Sequence, residues 1–127
     1  MIIRSLEDVT GTNRDVDWGN GQSRRFLIAA DRMGYSLTDT IVKAGTRSLL
    51  QYRSHLEACY CISGSGHVED VKTGARHMIT PGTMYALDQH DEHYLVAHDE
   101  MRLVCVFSPA LRGNESHRLE GSASSSY

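Results

Sequence analysis

The sequence predicts a single all-β domain, a barrel or sandwich built from short strands. Three observations carry this. Apolar and polar residues alternate over short runs, glycine-bearing turns separate those runs at intervals of about eight to twelve residues, and no segment sustains a helical period. At 127 residues the chain is too short for two properly cored domains. One domain of this size buries roughly 65–70% of the surface its unfolded chain exposes, enough for a core and one enclosed pocket.

Taken in order, residues 1–9 hold at most a short helical turn. Residues 24–29 and 34–42 read as strands on either side of the turn Ala30-Asp31-Arg32, and Gly45 ends the second. Residues 57–62 form a further strand, closed by Ser63-Gly64-Ser65-Gly66. Residues 67–71 return from it and Lys72-Thr73-Gly74 turns again. Residues 76–79 then lead into Pro81-Gly82, whose proline has no donor for a central ladder. Residues 84–87 and 93–96 flank a polar loop. Residues 101–107 make the longest strand, with Met101, Leu103, Cys105 and Phe107 on one face and Arg102, Val104 and Val106 on the other. Residues 121–127 are nearly all small and polar and are expected to form a disordered tail, leaving 1–120 as the barrel.

Charge and composition exclude several roles. The formal net charge is −3 with acidic and basic residues intermixed, and the longest basic cluster is Arg24-Arg25, so no basic field for a nucleic acid is expected. No apolar run approaches the roughly eighteen residues of a membrane helix, and no membrane partner is expected. Met1-Ile2-Ile3-Arg4, followed by Glu7 and Asp8, lacks the pattern of a signal peptide. The three cysteines, Cys59, Cys61 and Cys105, make an odd count; Cys59 and Cys61 share a strand face, where a bridge is difficult, and read as small core residues. A reducing, cytoplasmic setting is the expectation.

The informative pattern runs from Gly45 to His93. It contains Gly45, Gln51-Tyr52-Arg53, Glu57, Gly64, Pro81-Gly82-Thr83-Met84-Tyr85 and His93. The spacing of Gly45, Glu57, Gly64 and Pro81-Gly82 resembles the two motifs of the cupin superfamily. The positions where that superfamily carries metal-binding histidines are here Gln51, Arg53 and Tyr85. A closer resemblance lies in Ser54-His55-Leu56-Glu57-Ala58, in Pro81 through Asp88, in His90-Asp91-Glu92-His93, in Cys105-Val106-Phe107-Ser108-Pro109 and in Gly113-Asn114-Glu115-Ser116-His117. These segments are similar to the L-ectoine synthase family, over residues 1 to about 121.

That resemblance implies a cupin-type β-barrel (a double-stranded β-helix or jelly roll), a homodimer, and an enzyme that closes N-γ-acetyl-L-2,4-diaminobutyrate into the cyclic amidine ectoine with loss of water. It implies metal ligation by Glu57, Tyr85 and His93. Two anionic oxygens and one imidazole suit Fe(II), and Zn(II) or Mn(II) would accept the same set. Arg25 is expected to bind the substrate carboxylate, and Thr40, Tyr52 and His55 to line the mouth, with His55 close to the metal or in proton transfer. Cys105 and Phe107 would form an apolar wall, Glu115 would hold the substrate ammonium and His117 would shuttle a proton. The chain departs from the family pattern at Gly21, where a tryptophan is common, at Thr38, at Ala110-Leu111-Arg112 and in the serine-rich ending. Two other readings stand beside this one: a cupin of the same metal type acting on another N-acylated amino acid, and a ligand-binding barrel without turnover.

Overall fold

The structure, a computed structural model, describes residues 1–119 and 124–127. A single turn of helix, α1 (Leu6–Val9), is capped by Ser5 and followed by β1 (Asp15–Asp17), β2 (Gly21–Leu27), β3 (Ser36–Val42), β4 (Arg47–Gln51) and β5 (Leu56–Ser63). Then come β6 (Gly66–Asp70), β7 (Arg76–Ile79), β8 (Met84–Leu87), β9 (His93–Ala97), β10 (Met101–Ser108) and β11 (Ser125–Ser126). The strands form a six-stranded sheet in the order β1-β2-β3-β10-β5-β8 and a five-stranded sheet in the order β11-β4-β9-β6-β7. The expected all-β domain is what the chain adopts.

Alternation explains the packing. Along β10 the inward residues Met101, Leu103, Cys105 and Phe107 are buried and the intervening ones are less so. Val42, Leu50, Cys61, Val68, Ile79 and Leu95 complete a core between the sheets. Strands β1 and β4 were not expected from the sequence. Asp-Val-Asp carries no strand signal of its own and is held by pairing with β2, while β4 turns Ser48, a polar residue, inward beside Leu50.

The expected disordered tail needs correction where it is described. Residues 121–123 lie outside the described residues. Ser125 and Ser126 pair in parallel with Leu50 and Gln51 of β4, and Tyr127 packs against the core. Small polar residues lack a core of their own, but β4 offers them an open ladder edge and the barrel mouth offers the tyrosine ring apolar surface.

Two carboxylates hold the layers in register. Asp39 on β3 accepts from Arg24 on β2 at 2.6 Å and from Nε of Arg102 on β10 at 2.9 Å. Asp31 accepts from Arg4 at 2.8 Å, from Arg14 at 2.9 Å and from the Ile28 amide at 2.9 Å, fastening the N-terminal segment. Burial alone would raise the Asp39 carboxyl, but the Arg102 and Arg24 guanidiniums outweigh it and hold it below the usual range. The Arg14 guanidinium does the same for Asp31. Because both folded values are depressed, the stability they contribute is complete above the unfolded value of 3.8 and is lost as pH falls through the lower folded values. Asp39→Asn is expected to cost about 2 kcal/mol in urea unfolding at neutral pH, as befits lost charge-assisted bonds. It should also flatten the loss of stability below pH 4 relative to the parent chain.

Candidate functional site

Cross-strand register assembles the site. Arg25 pairs with Thr38, Thr38 with Cys105, Cys105 with Cys59 and Cys59 with Tyr85, so five neighbouring strands present one transverse row. One step along, Ser36, Phe107, Glu57 and Leu87 make a second row; on the other side Ser23, Thr40, Leu103 and Cys61 make a third. The side chains of a row point the same way because a strand repeats every two residues. Across the barrel the five-stranded sheet supplies His93, opposite Leu50 and Asp70 in register, and Tyr52 follows β4. Between the sheets lies a cavity whose polar lining is Ser23, Thr40, Tyr52, Glu57, Cys59 and Cys105. Trp18, Phe107 and Tyr127 close its sides. Its free volume is about 30 Å³, room for little more than a water.

Glu57 and Tyr85 face no cationic side chain among the described residues, and the Tyr52 hydroxyl meets the neutral imidazole of His117. Burial pushes the Glu57 carboxyl up to about 8, partly offset by the Cys59 and Cys105 thiols. Burial likewise raises the phenols of Tyr85 and Tyr52, each further raised by the field of Glu57, and raises the Cys59 thiol. Ligand atoms of Glu57, Cys59 and Cys105 all lie within 4.8 Å of one another. This buried, acid-rich cluster is a metal-ligating arrangement: a divalent cation would replace the protons that burial otherwise forces onto these groups. His93 is 1% exposed and its Nδ1–H donates to the Asp91 carbonyl at 2.9 Å, which leaves Nε2 with its lone pair for a cation. Burial holds its imidazole below the ordinary value, in the neutral form that ligation needs.

Of the residues expected at the metal, Glu57 and Tyr85 come from adjacent strands of one sheet and His93 from the opposing sheet. The tightest donor cluster among the described residues joins Glu57 to the two thiols rather than to His93. Cys59 lies in the core, as expected from the sequence, and also lines the cavity beside Glu57; its shared strand face with Glu57 is the signal for the second role.

Arg25 is fully buried. Its Nε donates to Ser23 Oγ at 3.1 Å and its Nη2 to the Glu115 carbonyl at 2.6 Å. Nη1 lies 3.5 Å from Glu115 Oε1 without hydrogen-bond geometry, and is a buried donor left unsatisfied among the described residues. Glu115 accepts from the Arg112 and Gly113 amides at 2.7 and 2.8 Å. Burial would raise its carboxyl, but those amides and Arg25 bring it below the usual value. His55 donates Nδ1–H to the Pro109 carbonyl at 2.9 Å and stands edge-on to Phe107, behind the cavity wall. His117 is 6% exposed, with Nε2 3.1 Å from the Tyr52 hydroxyl and Nδ1 2.9 Å from Ser125 Oγ. Burial, then the fields of His93 and Arg25, lower its imidazole to about 3.

Tyr127 falls in the segment expected to be a disordered tail, yet its ring lies 4.3 Å from that of His117 and 5.1 Å from that of Tyr52, centroid to centroid. No sequence signal marks this, since the contact is tertiary. Trp18, whose ring replaces the wall missing at Gly21, is visible in sequence only as a lone tryptophan in a polar stretch.

Comparison with known proteins is consistent over the whole chain. The family model described as ectoine synthase matches residues 1–126. The L-ectoine synthase of Desulfatibacillum aliphaticivorans is 53% identical over 123 residues, covering 95% of each chain. That of Wolinella succinogenes is 50% identical over 123 residues, 95% of this chain and 94% of the relative. The crystal structure of ectoine synthase from P. lautus superposes with a TM-score of 0.86 at 51% identity, covering 89% of this chain and 81% of that one. With half the residues shared across nearly its full length, and the same cupin-type barrel beneath them, the chain belongs to the ectoine synthase family.

Proposed function

We propose that this chain is a lyase that removes water from N-γ-acetyl-L-2,4-diaminobutyrate to form the cyclic amidine ectoine. The observation that carries the reading is a cavity between the sheets with the buried Glu57 carboxyl in its wall and, beside it, a fully buried arginine whose Nη1 has no hydrogen-bond partner among the described residues. An amino acid whose carboxylate meets the arginine and whose acetamide meets a cation would satisfy both. Glu57, Tyr85 and His93 would hold that cation, and two hard oxygens with one imidazole favour Fe(II), with Zn(II) and Mn(II) compatible. The bound ion would supply Lewis acidity toward the acetamide oxygen.

The remaining chemistry belongs to the protein. Arg25 fixes the substrate carboxylate through Nη1, with Glu115 balancing its charge and holding the substrate ammonium end. Thr40, Tyr52, Cys105 and Phe107 fold the flexible chain so that its α-amine approaches the acetamide carbon, an entropic gain that can be large. The amine must lose its proton before attack and the departing oxygen must gain one. His117 is kept neutral by its surroundings, and at a value of about 3 it relays a proton between Tyr52 and the amine rather than storing it. His55, its Nδ1–H committed to Pro109, presents an Nε2 lone pair on the Phe107 side that takes up the proton leaving the amine and then returns it to the departing oxygen.

The setting follows from the same reading. No helix among the described residues is long and apolar enough to cross a membrane, and three free thiols accord with a reducing cytoplasm. Leu56, Tyr60 and Ile62 on the outer face of β5, with Met84 on β8 and Val106 on β10, form an exposed apolar stripe that supports a homodimer. No nucleic acid or membrane partner is proposed.

Three measurements test this. Protein stripped by a chelator should lose turnover and regain it with Fe(II), the product being one water lighter than the substrate; fully loaded protein that forms no amidine would refute the assignment. Arg25→Ala should raise KM roughly 10–100-fold, the worth of a charged hydrogen bond, with metal content unchanged. Because the metal-free Glu57 carboxyl sits at about 8, cation binding must expel its proton at neutral pH. Calorimetry in buffers of different ionisation heat should therefore show protons released from both Glu57 and the Tyr85 phenol, and affinity rising with pH more steeply below about 8 than above it. In Glu57→Gln the proton release should fall by the Glu57 share, and most of the affinity should be lost.

A further inference from the structure

Trp18 is the single tryptophan of the chain, is 4% exposed and lines the cavity. It lies in the short connection between β1 and β2, closed by a bond from its own amide to the Gly21 carbonyl at 3.1 Å. The indole Nε1–H is spent on the Ile41 carbonyl at 2.9 Å, so the ring is fixed by a polar anchor at one edge. Two further contacts join it to His117. The His117 amide donates to the Trp18 carbonyl at 3.1 Å, and the two rings meet edge to face at 6.2 Å with an interplanar angle of 87°. Beside them Ser116 Oγ donates to the Asp17 carbonyl at 2.7 Å.

The glycines flanking this turn are required by the same arrangement. A Cβ on Gly21 would lie 1.8 Å from the Ile41 oxygen, so the β2–β3 backbone approach itself forbids a side chain there, and 3.0 Å from Trp18 Nε1, so the same approach leaves the indole its place. Gly19 has φ +127°, and a Cβ on it would lie 2.7 Å from Leu119 Cδ1 and 3.4 Å from the His117 carbonyl. The turn is thus shaped both to admit the indole and to let the segment around His117 lie close against it. That segment has no strand of its own: residues 113–119 lie outside regular structure.

We propose that Trp18 is a positioning residue for His117, fixing its backbone through one bond and one edge of its imidazole through a ring contact, alongside Tyr52, Ser125 and Tyr127 on the other sides. The proposal deepens the cyclisation reading above and rests on it for its kinetic part. An imidazole that relays a proton must sit within hydrogen-bond reach of both partners, and an error of about 1 Å there can cost as much as 10²-fold in rate. The ring contact is what a substitution can remove, since the backbone bond survives any side chain.

The test compares Trp18→Leu with Trp18→Phe, each checked for parent-like circular dichroism and metal content. Trp18→Leu should lower kcat tenfold or more with KM within about threefold of the parent, and Trp18→Phe, which keeps an aromatic edge toward His117, should recover most of kcat. A rise in KM with kcat unchanged, or a phenylalanine variant no better than leucine, would overturn the proposal and leave Trp18 a mere wall. A second readout needs no turnover. The His117 imidazole signals, assigned by loss in His117→Asn, should be single and shifted by the indole ring current in the parent, and averaged or broadened in Trp18→Leu. Unaltered signals would also overturn it. Failure of the parent to cyclise the acetylated diamino acid would sink the functional reading instead, while the resonance comparison would still decide the positioning role. Should the leucine variant misfold, the same comparison between parent and phenylalanine variant stands, with an unshifted His117 signal in the parent counting against the contact.

Discussion

The site depends on strand register in the six-stranded sheet. Arg25, Thr38, Cys105, Cys59 and Tyr85 share one row only because five strands are paired without slippage at that level. A shift of one residue in any of them would turn its member of the row out of the barrel. Asp39 guards against this from between two of the row's pairs. It grips Arg24 and Arg102 from the strands on either side of its own, and so links β2, β3 and β10 one residue from the Arg25–Thr38 pair. The bulges fall close by, at Phe26 in β2 and at Ile62 in β5, opposite Arg102 and Leu103. They change the register beyond the row while leaving it intact, a common arrangement beside functional sites.

The inward row is a burden on the fold. Glu57 and the phenols of Tyr52 and Tyr85 are all withdrawn from water, and no cationic side chain among the described residues answers them directly. Arg25 has its own carboxylate in Glu115 but keeps one N–H unsatisfied. Unpaired polar groups in a low-dielectric interior are tolerated where something outside the chain completes them. Within the six-stranded sheet the separation is chemical as well as spatial: Glu57 and Tyr85 stand on β5 and β8, and the guanidinium stands on β2.

Much of this was legible in sequence, for physical reasons that also mark its limits. The alternation along β10 and β5 gave their inward faces, and glycine turns placed most strand ends. Glu57, Tyr85 and His93 stood out because their spacing matches a known family. What escaped was whatever depends on contacts distant in the chain. Asp15–Asp17 is a strand only because β2 lies beside it. Cys59 looks like a small core residue until Cys105 and Glu57 are seen next to it. The indole of Trp18 fills the place left open at Gly21, and composition cannot say whether a tryptophan three residues away turns inward. The polar ending hid a tyrosine whose ring finds its partners only once the barrel has formed.

That last feature gives entry into the barrel a particular character. With the Tyr127 ring seated against His117 and Tyr52, the interior has space for a water and not for an amino acid. Admission of any larger guest is therefore an exchange, in which the aromatic occupant withdraws as the newcomer arrives. Two serines of β11 pair that occupant's backbone with β4, and their hydroxyls bond to His117, the Arg118 amide and the Arg53 amide, so release surrenders those bonds as well. The measured grip on a guest is then the difference between two tenancies of one space, weaker than the contacts of the filled cavity alone would give.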